Sequence, residues 1–459
     1  MADPALVEAL VACGHDLGLI TGAADAARYA TDATRRPDVV PEVVIRPKDK
    51  AGVSAALALC HRFGQPVAVQ GGLTGLSGGA RVRPGEVVLS TERLTGLGAP
   101  DADAMLIRAG AGVTLQRLQE AAAEQGLCFG VDLGARGTAT VGGGIATNAG
   151  GIRVLRYGMF RAQVAGMEAV LADGTVVSSM RGLEKNNAGP DLRQLFTGSE
   201  GIYGVITEAL LRLHPAPGLE RNALCAVEGP EAALALLRML RGRLGGLLSA
   251  FEGLWPEVYD GACGIAGTRP LPLGSGLYVL IEIQAPKGLI EEDAFEQVLM
   301  DAYEAGLCGD IVVAQSRREF DGIWHLREAC PEFTFSLGRL VPHDLSLPLR
   351  AIPEFLGRAR EAVEAVDPVA RIYVYGHLAD GNLHYVVKSE MRAEVSAAVN
   401  TLAARMGGSI TAEHGVGTDK KPYLSLVRSA EELGLLRRLK SAMDPAGILN
   451  PGRVIGLDD

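Results

Sequence analysis

The spacing of the hydrophobic residues differs from one part of the chain to the next, and it predicts where helices and strands occur. Near the start, Val43-Val-Ile predicts a short strand, and apolar residues at helical spacing predict a helix from Lys50 to Phe63. The run Pro66-Val-Ala-Val-Gln predicts a second strand. Strand, helix and strand in this order are expected to form a parallel, right-handed unit. It ends in the glycine-rich run Gln70-Gly-Gly-Leu-Thr-Gly-Leu-Ser-Gly-Gly.

A strand beginning near Leu106 and a helix over 114–125 lead into a second glycine-rich loop, 132–151. Two such loops after strands suit a pyrophosphate group, because backbone N–H groups can point at phosphate oxygens where no side chain intervenes. Gly142-Gly-Gly-Ile-Ala-Thr lacks the Gly-x-Gly-x-x-Gly fingerprint of NAD sites, and no Gly-Lys-Ser/Thr of a P-loop occurs. We expect a phosphate-bearing cofactor, the alternative being two tight turns.

The pattern changes after Pro215-Ala-Pro-Gly, which is typical of a linker. Beyond it, predicted helices alternate with predicted strands in the manner of an antiparallel α+β domain. We predict three parts: a first domain at 1–215, split into two subdomains near 96–105, a substrate or cap domain at 216–395, and a helical segment at 396–459.

Composition narrows the class of protein. The 44 Lys and Arg against 54 Asp and Glu give a net charge of −10, and no basic block appears, which argues against nucleic acid as a partner. No apolar run approaches the roughly 20 residues that cross a bilayer, and the first residues lack signal-peptide features. Seven scattered cysteines without Cys-x-x-Cys are expected to be reduced thiols. We expect a cytoplasmic protein that could attach loosely to the inner membrane.

Two histidines flank an Asp-Gly pair, which is a strong hairpin signal between apolar runs. If Asp380-Gly381 forms a two-residue loop, His377 lies directly opposite His384, with Cβ atoms roughly 4.5–5.5 Å apart. Two imidazoles at this distance could share a divalent ion. Glu413-His414-Gly415 is the best source of a further ligand, and the alternative is that these are ordinary packed or surface histidines.

Glu413 and His414 would point to opposite sides if a strand at 409–411 continued through them, so that one could face a metal and the other a substrate. A metal on a substrate hydroxyl lowers the pKa of that hydroxyl, and a neutral His can then take the proton. Arg327 ends a short apolar segment and is suited to a bidentate carboxylate, unless it is an ordinary surface residue.

Five motifs together resemble the FAD-linked D-2-hydroxyacid dehydrogenases, a group within the vanillyl-alcohol oxidase flavoprotein superfamily. That group includes D-lactate dehydrogenases, D-2-hydroxyglutarate dehydrogenases and proteins similar to the FAD-binding subunit of glycolate oxidase. The resemblance runs from about residue 40 to the end of the chain. The motifs are Val69-Gln-Gly-Gly-Leu-Thr-Gly, Gly143-Gly-Ile-Ala-Thr-Asn-Ala-Gly-Gly, Gly376-His-Leu-Ala-Asp-Gly-Asn-Leu-His, Glu413-His-Gly-Val-Gly and Asp444-Pro-Ala-Gly-Ile-Leu-Asn-Pro-Gly.

The resemblance implies an α+β fold: a two-subdomain FAD-binding domain of the vanillyl-alcohol oxidase type, an α+β cap domain with an antiparallel sheet, and a helical C-terminal segment returning to the flavin. Some relatives attach the flavin through a His in the first glycine loop. This loop has none, so we expect non-covalent FAD. The implied flavin contacts are Arg46, Pro47, Gln70, Gly71, Gly72, Leu73, Thr74, Gly75, Asp132, Leu133, Gly134, Ala135, Thr138, Gly143, Gly144, Thr147, Asn148, Gly150, Gly151, Gly204, Val205 and Ile206.

The resemblance also implies roles for the polar residues singled out above. His377, His384 and Glu413 become ligands of a divalent ion, with zinc expected, His414 the proton acceptor, and Arg327 the anchor of the substrate carboxylate. The implied reaction oxidises a D-2-hydroxy acid to a 2-oxo acid, with hydride transfer to flavin N5. An electron-transfer flavoprotein or a quinone is the expected acceptor. Direct oxidation by oxygen and a homodimeric state both stay open.

Asp344-Leu-Ser-Leu-Pro is nearest to the hydroxyglutarate branch, but three positions differ from it. Pro331, Pro342 and Val386 stand where a Thr, a Lys and an Asn are expected, and a pocket without these polar groups penalises a second carboxylate. We expect apolar tails, as in D-lactate, D-2-hydroxybutyrate and D-mandelate. The alternatives are D-2-hydroxyglutarate as substrate, an FAD-binding subunit of a glycolate oxidase complex, and a non-enzymatic flavin or metal carrier.

Overall fold

The computed structural model describes residues 3–291 and 293–457. Its α-helices are α1 Pro4–Ala12, α2 Ala23–Ala26, α3 Lys50–Arg62, α4 Leu115–Ala123, α5 Val141–Thr147, α6 Val154–Tyr157, α7 Phe160–Gln163, α8 Arg193–Phe196, α9 Pro230–Leu244, α10 Pro256–Ala266, α11 Ala294–Glu304, α12 Arg317–Ser336, α13 Ile352–Val366, α14 Arg392–Arg405 and α15 Ala430–Met443. Its strands are β1 Val44–Ile45, β2 Val67–Gln70, β3 Val87–Ser90, β4 Leu106–Gly110, β5 Leu127–Cys128, β6 Val164–Val170, β7 Val176–Ser179, β8 Val205–Arg212, β9 His214–Pro215, β10 Leu219–Val227, β11 Leu248–Leu254, β12 Leu277–Ala285, β13 Ile311–Val313, β14 Val341–Ser346, β15 Arg371–His377 and β16 Asn382–Lys388.

The described residues form two compact units. The first contains the chain up to Gly151, then Gly158–Pro215, and everything from Glu413 onward. The second contains Ile152–Tyr157 and Ala216–Ala412. Helix α14, which spans the predicted boundary at 395, belongs to the second unit and packs on α13 and β14.

A three-stranded parallel sheet opens the first unit, in the order β1, β3, β2. Helix α3 joins β1 to β2 and starts at Asp49, whose carboxylate accepts a hydrogen bond from the Gly52 amide at 2.8 Å. The predicted strand, helix and strand are therefore present. However, β3, which was not predicted, lies between the two predicted strands. Its apolar run is only four residues long, which is too short to indicate a strand.

The second sheet of the first unit is antiparallel, in the order β4, β8, β6, β7. Helix α5 begins at Thr140, whose hydroxyl accepts from the Gly143 amide, and ends at Asn148, which adopts a left-handed conformation. Gly144 allows this helix to pack closely, because an added Cβ would lie 2.2 Å from the ring of Phe160. The second glycine-rich loop is thus partly a short helix.

Of the predicted C-terminal segment, the described residues from Glu413 onward are part of the first unit, whereas the residues up to Ala412 belong to the second. Helix α15 starts with a capping box between Ser429 and Glu432. Beyond this helix the chain pairs with the outer edge of β2, because the Val67 amide bonds the Ile448 carbonyl and the Val67 carbonyl accepts from the Asn450 amide. The start of this edge strand is therefore occupied by backbone, and the Val69 amide donates to the Asn450 side chain, which leaves less of the edge open to another chain.

Buried ionic groups lock this segment in place. The Lys440 ammonium donates to the Asp444 carboxylate and to the carbonyls of Ile202 and Leu449, with the Lys and Asp side chains both fully buried. Burial lowers the pKa of Lys440. The Arg453 guanidinium is also fully buried and pairs with Glu86. The motif that begins at Asp444 thus carries the bonds that tie the segment to the first unit.

The second unit is built on a seven-stranded antiparallel sheet, in the order β13, β10, β12, β11, β15, β16, β14, as predicted for this region. One face carries apolar side chains such as Phe251, Ile281 and Leu383 and packs in a core with helices α9, α11, α13 and α14. The opposite face carries Leu224, Leu280 and other apolar residues and packs in a core with α10 and α12. Period-two alternation separates the two faces.

The face toward α10 and α12 also carries polar side chains. Asn222, Glu252 and Glu282 are buried here among apolar neighbours, and His377 lies directly across from Glu252. Buried polar groups in such a position require partners. Within the described residues, no helix is both long and apolar enough to cross a membrane.

Candidate active site

Glu252 joins two of the predicted site residues. Its Oε2 accepts a hydrogen bond from Arg327 Nε at 2.7 Å, and its Oε1 lies 2.8 Å from His377 Nδ1. All three side chains are buried. Arg327 projects from α12, while Glu252 and His377 project from the neighbouring strands β11 and β15. The sheet and the helix on its face thus place the predicted carboxylate anchor beside a predicted metal ligand.

The charges of this trio reinforce one another. Burial alone would raise the pKa of Glu252, but the adjacent His377 and Arg327 outweigh burial and lower the pKa to about 2. Burial would lower the pKa of Arg327, but the Glu252 charge raises it above its usual value. The Arg327 guanidinium also lies 5.0 Å from the centre of the Tyr375 ring. A charged carboxylate and a charged guanidinium therefore coexist in this core.

The hairpin that carries the two histidines differs from the predicted one. Tyr375, not His377, lies opposite His384, and the turn contains four residues, Leu378 to Gly381, instead of two. The longer turn is supported by Asp380, whose carboxylate accepts from the Asn382 amide at 3.0 Å. His377 and His384 are therefore diagonal neighbours on one face. The prediction that they lie directly opposite each other was wrong.

The diagonal arrangement still brings the two imidazoles together. Their ring centres are 5.5 Å apart, and each ring offers a nitrogen within 4.8 Å of one on the other. Nδ1 of His377 faces Glu252, and Nδ1 of His384 lies 3.7 Å from Asp344 Oδ1. A carboxylate behind each imidazole is the arrangement that orients histidine ligands of metals.

Asp344 connects this sheet face with the end of the second unit. Its carboxylate accepts from the Asn382 side-chain amide at 2.8 Å, and the Ala412 amide bonds its carbonyl at 3.1 Å and its carboxylate at 3.3 Å. Glu413 follows Ala412 directly, and consecutive Cα atoms are only about 3.8 Å apart. Ala412, the last residue of the second unit, is thus held by Asp344, which pairs with His384 across the sheet.

Glu413 and His414 begin the last part of the first unit. The Glu413 carboxylate accepts from the Gly151 amide at 3.2 Å, at the end of the second glycine-rich loop. Glu413 and His414 each offer a ligand atom within 4.8 Å of the other. They lie in a loop, not in the strand the sequence suggested, and the backbone pairing there is a single bridge between Ser346 and Ser409.

The two glycine-rich loops contact each other. A Cβ at Gly71 would lie 2.7 Å from the Thr140 hydroxyl, and one at Gly72 would lie 2.1 Å from the Thr138 carbonyl oxygen. These glycines are required by loop-to-loop packing. At Gly75 and Gly134, in contrast, an added Cβ would meet nothing within 4 Å. Space beside the backbone is what a cofactor needs, and it is found at these two positions.

Other predicted flavin residues have partners inside the first unit. Arg46 donates to the Gly18 carbonyl and pairs with Glu92. Asp132 forms a backbone bridge with Gly151. Gln70 donates to the carbonyls of Tyr29 and Ala80, while its Oε1 is buried with no protein partner.

The predicted tail positions form part of one row across the sheet. Pro342 lies opposite Val386, which in turn lies opposite Tyr373, all on the face toward α12. The Tyr373 ring makes an edge contact with Phe333 of α12, with ring centres 5.9 Å apart. Pro331 lies on the same helix, one turn after Arg327, and therefore on the same side. The row itself contains no charged side chain.

Comparison with known protein families is decisive for the cofactor. Residues 41–179 match the model of an FAD binding domain, and residues 216–454 match the model of the FAD linked oxidases, C-terminal domain. The chain is 37% identical to the mitochondrial D-2-hydroxyglutarate dehydrogenase of Bos taurus, over 90% of this chain and 77% of that protein.

The chain belongs to the FAD-linked D-2-hydroxyacid dehydrogenase family. It is 36% identical to a D-2-hydroxyglutarate dehydrogenase of Xanthomonas citri pv. viticola, over 100% of this chain and 98% of that protein. A relative from Schizosaccharomyces pombe, named as a candidate D-lactate dehydrogenase, is 34% identical over 90% of this chain and 82% of that protein. This member of the family is an FAD-dependent oxidoreductase, as predicted.

A solved structure supports the fold of this family member. p-Cresol methylhydroxylase with bound substrate aligns with a TM-score of 0.78 at 17% identity, covering 99% of this chain and 97% of that one. The predicted α+β fold of the vanillyl-alcohol oxidase type is confirmed. The first unit fits FAD, because Gly75 and Gly134 leave space beside the backbone and Gln70 Oε1 is a buried acceptor that lacks a protein donor.

Sequence reasoning missed the carboxylates that organise the site. Glu252 is a lone acidic residue in the apolar strand Leu248–Leu254, and this position was the available signal, because a buried charge in an apolar strand requires a partner. Asp344 was noted only as part of a family motif. Neither partner of Glu252 is near it in sequence, so no spacing pattern could have revealed the trio.

Proposed function

We propose that this enzyme oxidises D-2-hydroxy acids to 2-oxo acids with non-covalent FAD and a divalent metal. The observation that carries the proposal is the Glu252 carboxylate, which bonds both Arg327 and His377. It fixes a carboxylate-binding cation next to a metal-binding imidazole. A 2-hydroxy acid carries its hydroxyl one carbon away from its carboxylate, so both groups can be held by neighbouring residues.

Arg327 binds the substrate carboxylate in this proposal. Glu252 takes Nε, which leaves the two terminal nitrogens of the guanidinium as the fork for a carboxylate. The contact with Glu252 and the position over the Tyr375 ring restrict the guanidinium plane, so little rotamer entropy is lost when the substrate binds.

His377, His384 and Glu413 hold the divalent metal, and zinc is the ion we propose. Two imidazoles and a carboxylate form a common ligand set for zinc. The Glu252 contact occupies Nδ1 of His377, which leaves Nε2 as the nitrogen that would bind the metal. A bound divalent cation supplies Lewis acidity to the substrate hydroxyl.

His414 accepts the hydroxyl proton at an imidazole nitrogen. Bound FAD supplies the acceptor for the hydrogen that leaves Cα with its electron pair. The substrate then loses one proton and one hydride, and its carbinol carbon becomes the carbonyl carbon of the 2-oxo acid. Arg327 keeps its charge throughout and holds the carboxylate in the same place in substrate and product.

An apolar tail fits the row of Pro342, Val386 and Tyr373. A tail bound along this row would contact mainly apolar and aromatic surface, and a second carboxylate there would find no charged partner in the row, only the Tyr373 hydroxyl. We therefore propose monocarboxylates such as D-lactate, D-2-hydroxybutyrate or D-mandelate. The second candidate is D-2-hydroxyglutarate, which the names of relatives at 36–37% identity favour.

An electron-transfer flavoprotein or a quinone is the proposed acceptor for reoxidation, since the proposed reaction leaves two electrons on the cofactor. From the sequence, we also propose that the enzyme forms a homodimer and attaches loosely to the inner membrane.

Anaerobic mixing with a panel of hydroxy acids tests the proposal. We expect D-2-hydroxy acids to bleach the flavin absorbance and L-enantiomers to leave it unchanged. Among D-acids, D-lactate, D-2-hydroxybutyrate and D-mandelate are expected to reduce the flavin faster than D-2-hydroxyglutarate. A clear preference for hydroxyglutarate would disprove the apolar-tail proposal. Failure of every hydroxy acid in enzyme with verified FAD and metal would disprove the proposed reaction.

A further inference from the structure

Glu200 has a strained backbone that is held from two sides. Its φ is +52°, a left-handed conformation that non-glycine residues rarely adopt. Its amide donates to the Ala146 carbonyl in α5 at 2.8 Å, and its carbonyl accepts from the Asn450 side chain at 2.6 Å. Strain of this kind persists only where the surrounding structure fixes it, and it is frequent at functional sites.

The Glu200 carboxylate binds the backbone of the loop that follows the Glu-His motif. Its Oε1 accepts from the Val416 amide at 2.6 Å, and its Oε2 accepts from the Gly417 amide at 2.9 Å. Burial raises the pKa of Glu200, whereas the Val416 and Gly417 amides favour its charged form through charge-assisted hydrogen bonds, which are stronger than neutral ones. The separation of 216 and 217 positions along the chain makes this a tertiary contact of the first unit.

The loop has little freedom to take another position. A Cβ at Gly415 would lie 2.7 Å from Glu200 Cδ, and one at Gly417 would lie 2.1 Å from the Ser77 carbonyl oxygen. Both glycines have positive φ values, of 75° and 54°. The Ser77 hydroxyl also donates to the Gly415 carbonyl at 3.0 Å. Residues 415–417 are therefore fixed by Glu200 on one side and by the first glycine-rich loop on the other.

We infer that Glu200 is a positioning residue for the pair Glu413 and His414, because it fixes the backbone of the loop that directly follows them. This inference rests on the proposed function of that pair. His414 is separated from the first bonded amide by one residue, so a shift of the loop moves its imidazole directly. A displacement of about 1 Å can slow a reaction about 100-fold.

The test is Glu200→Gln in the full-length enzyme with bound FAD. The glutamine can accept from one amide, but its NH₂ group then faces the other N–H, so one of the two bonds is lost. We expect the yellow FAD to be retained, and flavin reduction at saturating D-2-hydroxy acid to slow about 10- to 100-fold. The substrate concentration for half-maximal reduction should change less than the rate of reduction, because Arg327, the proposed anchor of the substrate carboxylate, is untouched.

Amide hydrogen exchange separates positioning from general destabilisation. We expect faster deuterium uptake in a peptide covering 413–419 and unchanged uptake over 219–227, in β10 of the second unit. Glu432→Gln is the matched control. The Glu432 carboxylate also accepts a hydrogen bond from a backbone amide of the first unit, that of Ser429 at 2.9 Å, but this bond lies at the start of α15. It should retain wild-type reduction and wild-type exchange at 413–419.

Wild-type reduction in Glu200→Gln, or an exchange increase spread over the chain, would overturn the inference. If this variant does not fold, Glu200→Asp replaces it, since it keeps both acceptor oxygens one methylene further from the loop. If Glu200→Asp reduces its flavin more slowly and its exchange is faster only at 413–419, the inference is supported. If its flavin reduction and its exchange both match the wild type, the inference is overturned. If wild-type flavin is not reduced by any D-2-hydroxy acid, the proposed function fails separately, and the exchange comparison still decides whether Glu200 holds the loop.

Discussion

Replacement of Glu252 by Gln is the most informative perturbation of the candidate site. In the native enzyme both carboxylate oxygens accept, one from Arg327 Nε and one from His377 Nδ1. An amide offers only one oxygen. This oxygen stays on Arg327, because a guanidinium can only donate whereas an imidazole nitrogen can also accept, so the NH₂ group faces His377 Nδ1, which must then act as an acceptor. The imidazole proton moves to Nε2, the atom we assign to the metal.

The structure sets the size of the effect. Glu252 is only 1% exposed and its partner Arg327 only 6% exposed, so the substitution leaves a buried guanidinium without a countercharge. Removing one member of a buried ion pair destabilises a protein by about 3–5 kcal/mol. Loss of the group that orients a metal-binding histidine weakens metal affinity about 10- to 100-fold. Both losses are expected together.

Metal competition against a chromophoric chelator and denaturant unfolding measure the two effects. Glu282→Gln is the control, because Glu282 is also buried on this sheet face, and its carboxylate bonds Arg153 at 3.0 Å and the Trp324 indole at 2.7 Å instead of a proposed metal ligand. It should lose comparable stability and keep its metal affinity. Wild-type metal affinity in Glu252→Gln would refute the assignment of His377 Nε2 as a ligand atom.

Three further substitutions test other parts of the structure. His414→Ala should leave FAD bound and slow flavin reduction about 100-fold or more in rapid mixing, and near-normal reduction would remove its role as proton acceptor. Val386→Asn should raise the ratio of kcat/KM for D-2-hydroxyglutarate over D-lactate about tenfold through a new hydrogen-bond donor; an unchanged ratio would place the tail elsewhere. Lys440→Met should cost about 3–5 kcal/mol in denaturant unfolding because Asp444 stays buried and charged. Adding Asp444→Asn should recover part of that loss, and a neutral Lys440→Met would contradict the account of the C-terminal lock.

Elements whose signals are local were predictable. Helix α3 was predicted at 50–63 and is found at Lys50–Arg62, and α4 was predicted at 114–125 and is found at Leu115–Ala123. Apolar periodicity reports which face of a helix is buried, and this is encoded within a few turns. The four-residue strand β3 was missed because so short a run has no measurable period.

The hairpin of β15 and β16 shows a feature that the local sequence did not predict, namely the register of the two strands. Asp380-Gly381 correctly indicated a turn between two strands, but the register depended on how the turn residues bond. The Asp380 carboxylate accepts from the amide of Asn382, the first residue of β16, and the Gly381 carbonyl accepts from the Leu347 amide. The turn therefore contains four residues, and the strand register differs from the predicted one by two positions. The shift of two preserved the face of each strand. His377 and His384 therefore stayed close although the predicted pairing was wrong.

The sequence by itself determined the FAD cofactor and the family, because glycine-rich loops and short histidine and glutamate motifs are contiguous in the chain, and the same motifs supplied the proposed residues for binding and proton transfer. Only the tertiary structure decided which carboxylates organise them. Glu252 reaches His377 across 125 positions, and Glu200 reaches Val416 across 216. Such contacts follow from sheet order and from the return of the C-terminal segment, both of which arise from packing of distant apolar surfaces. No spacing within the chain encodes them.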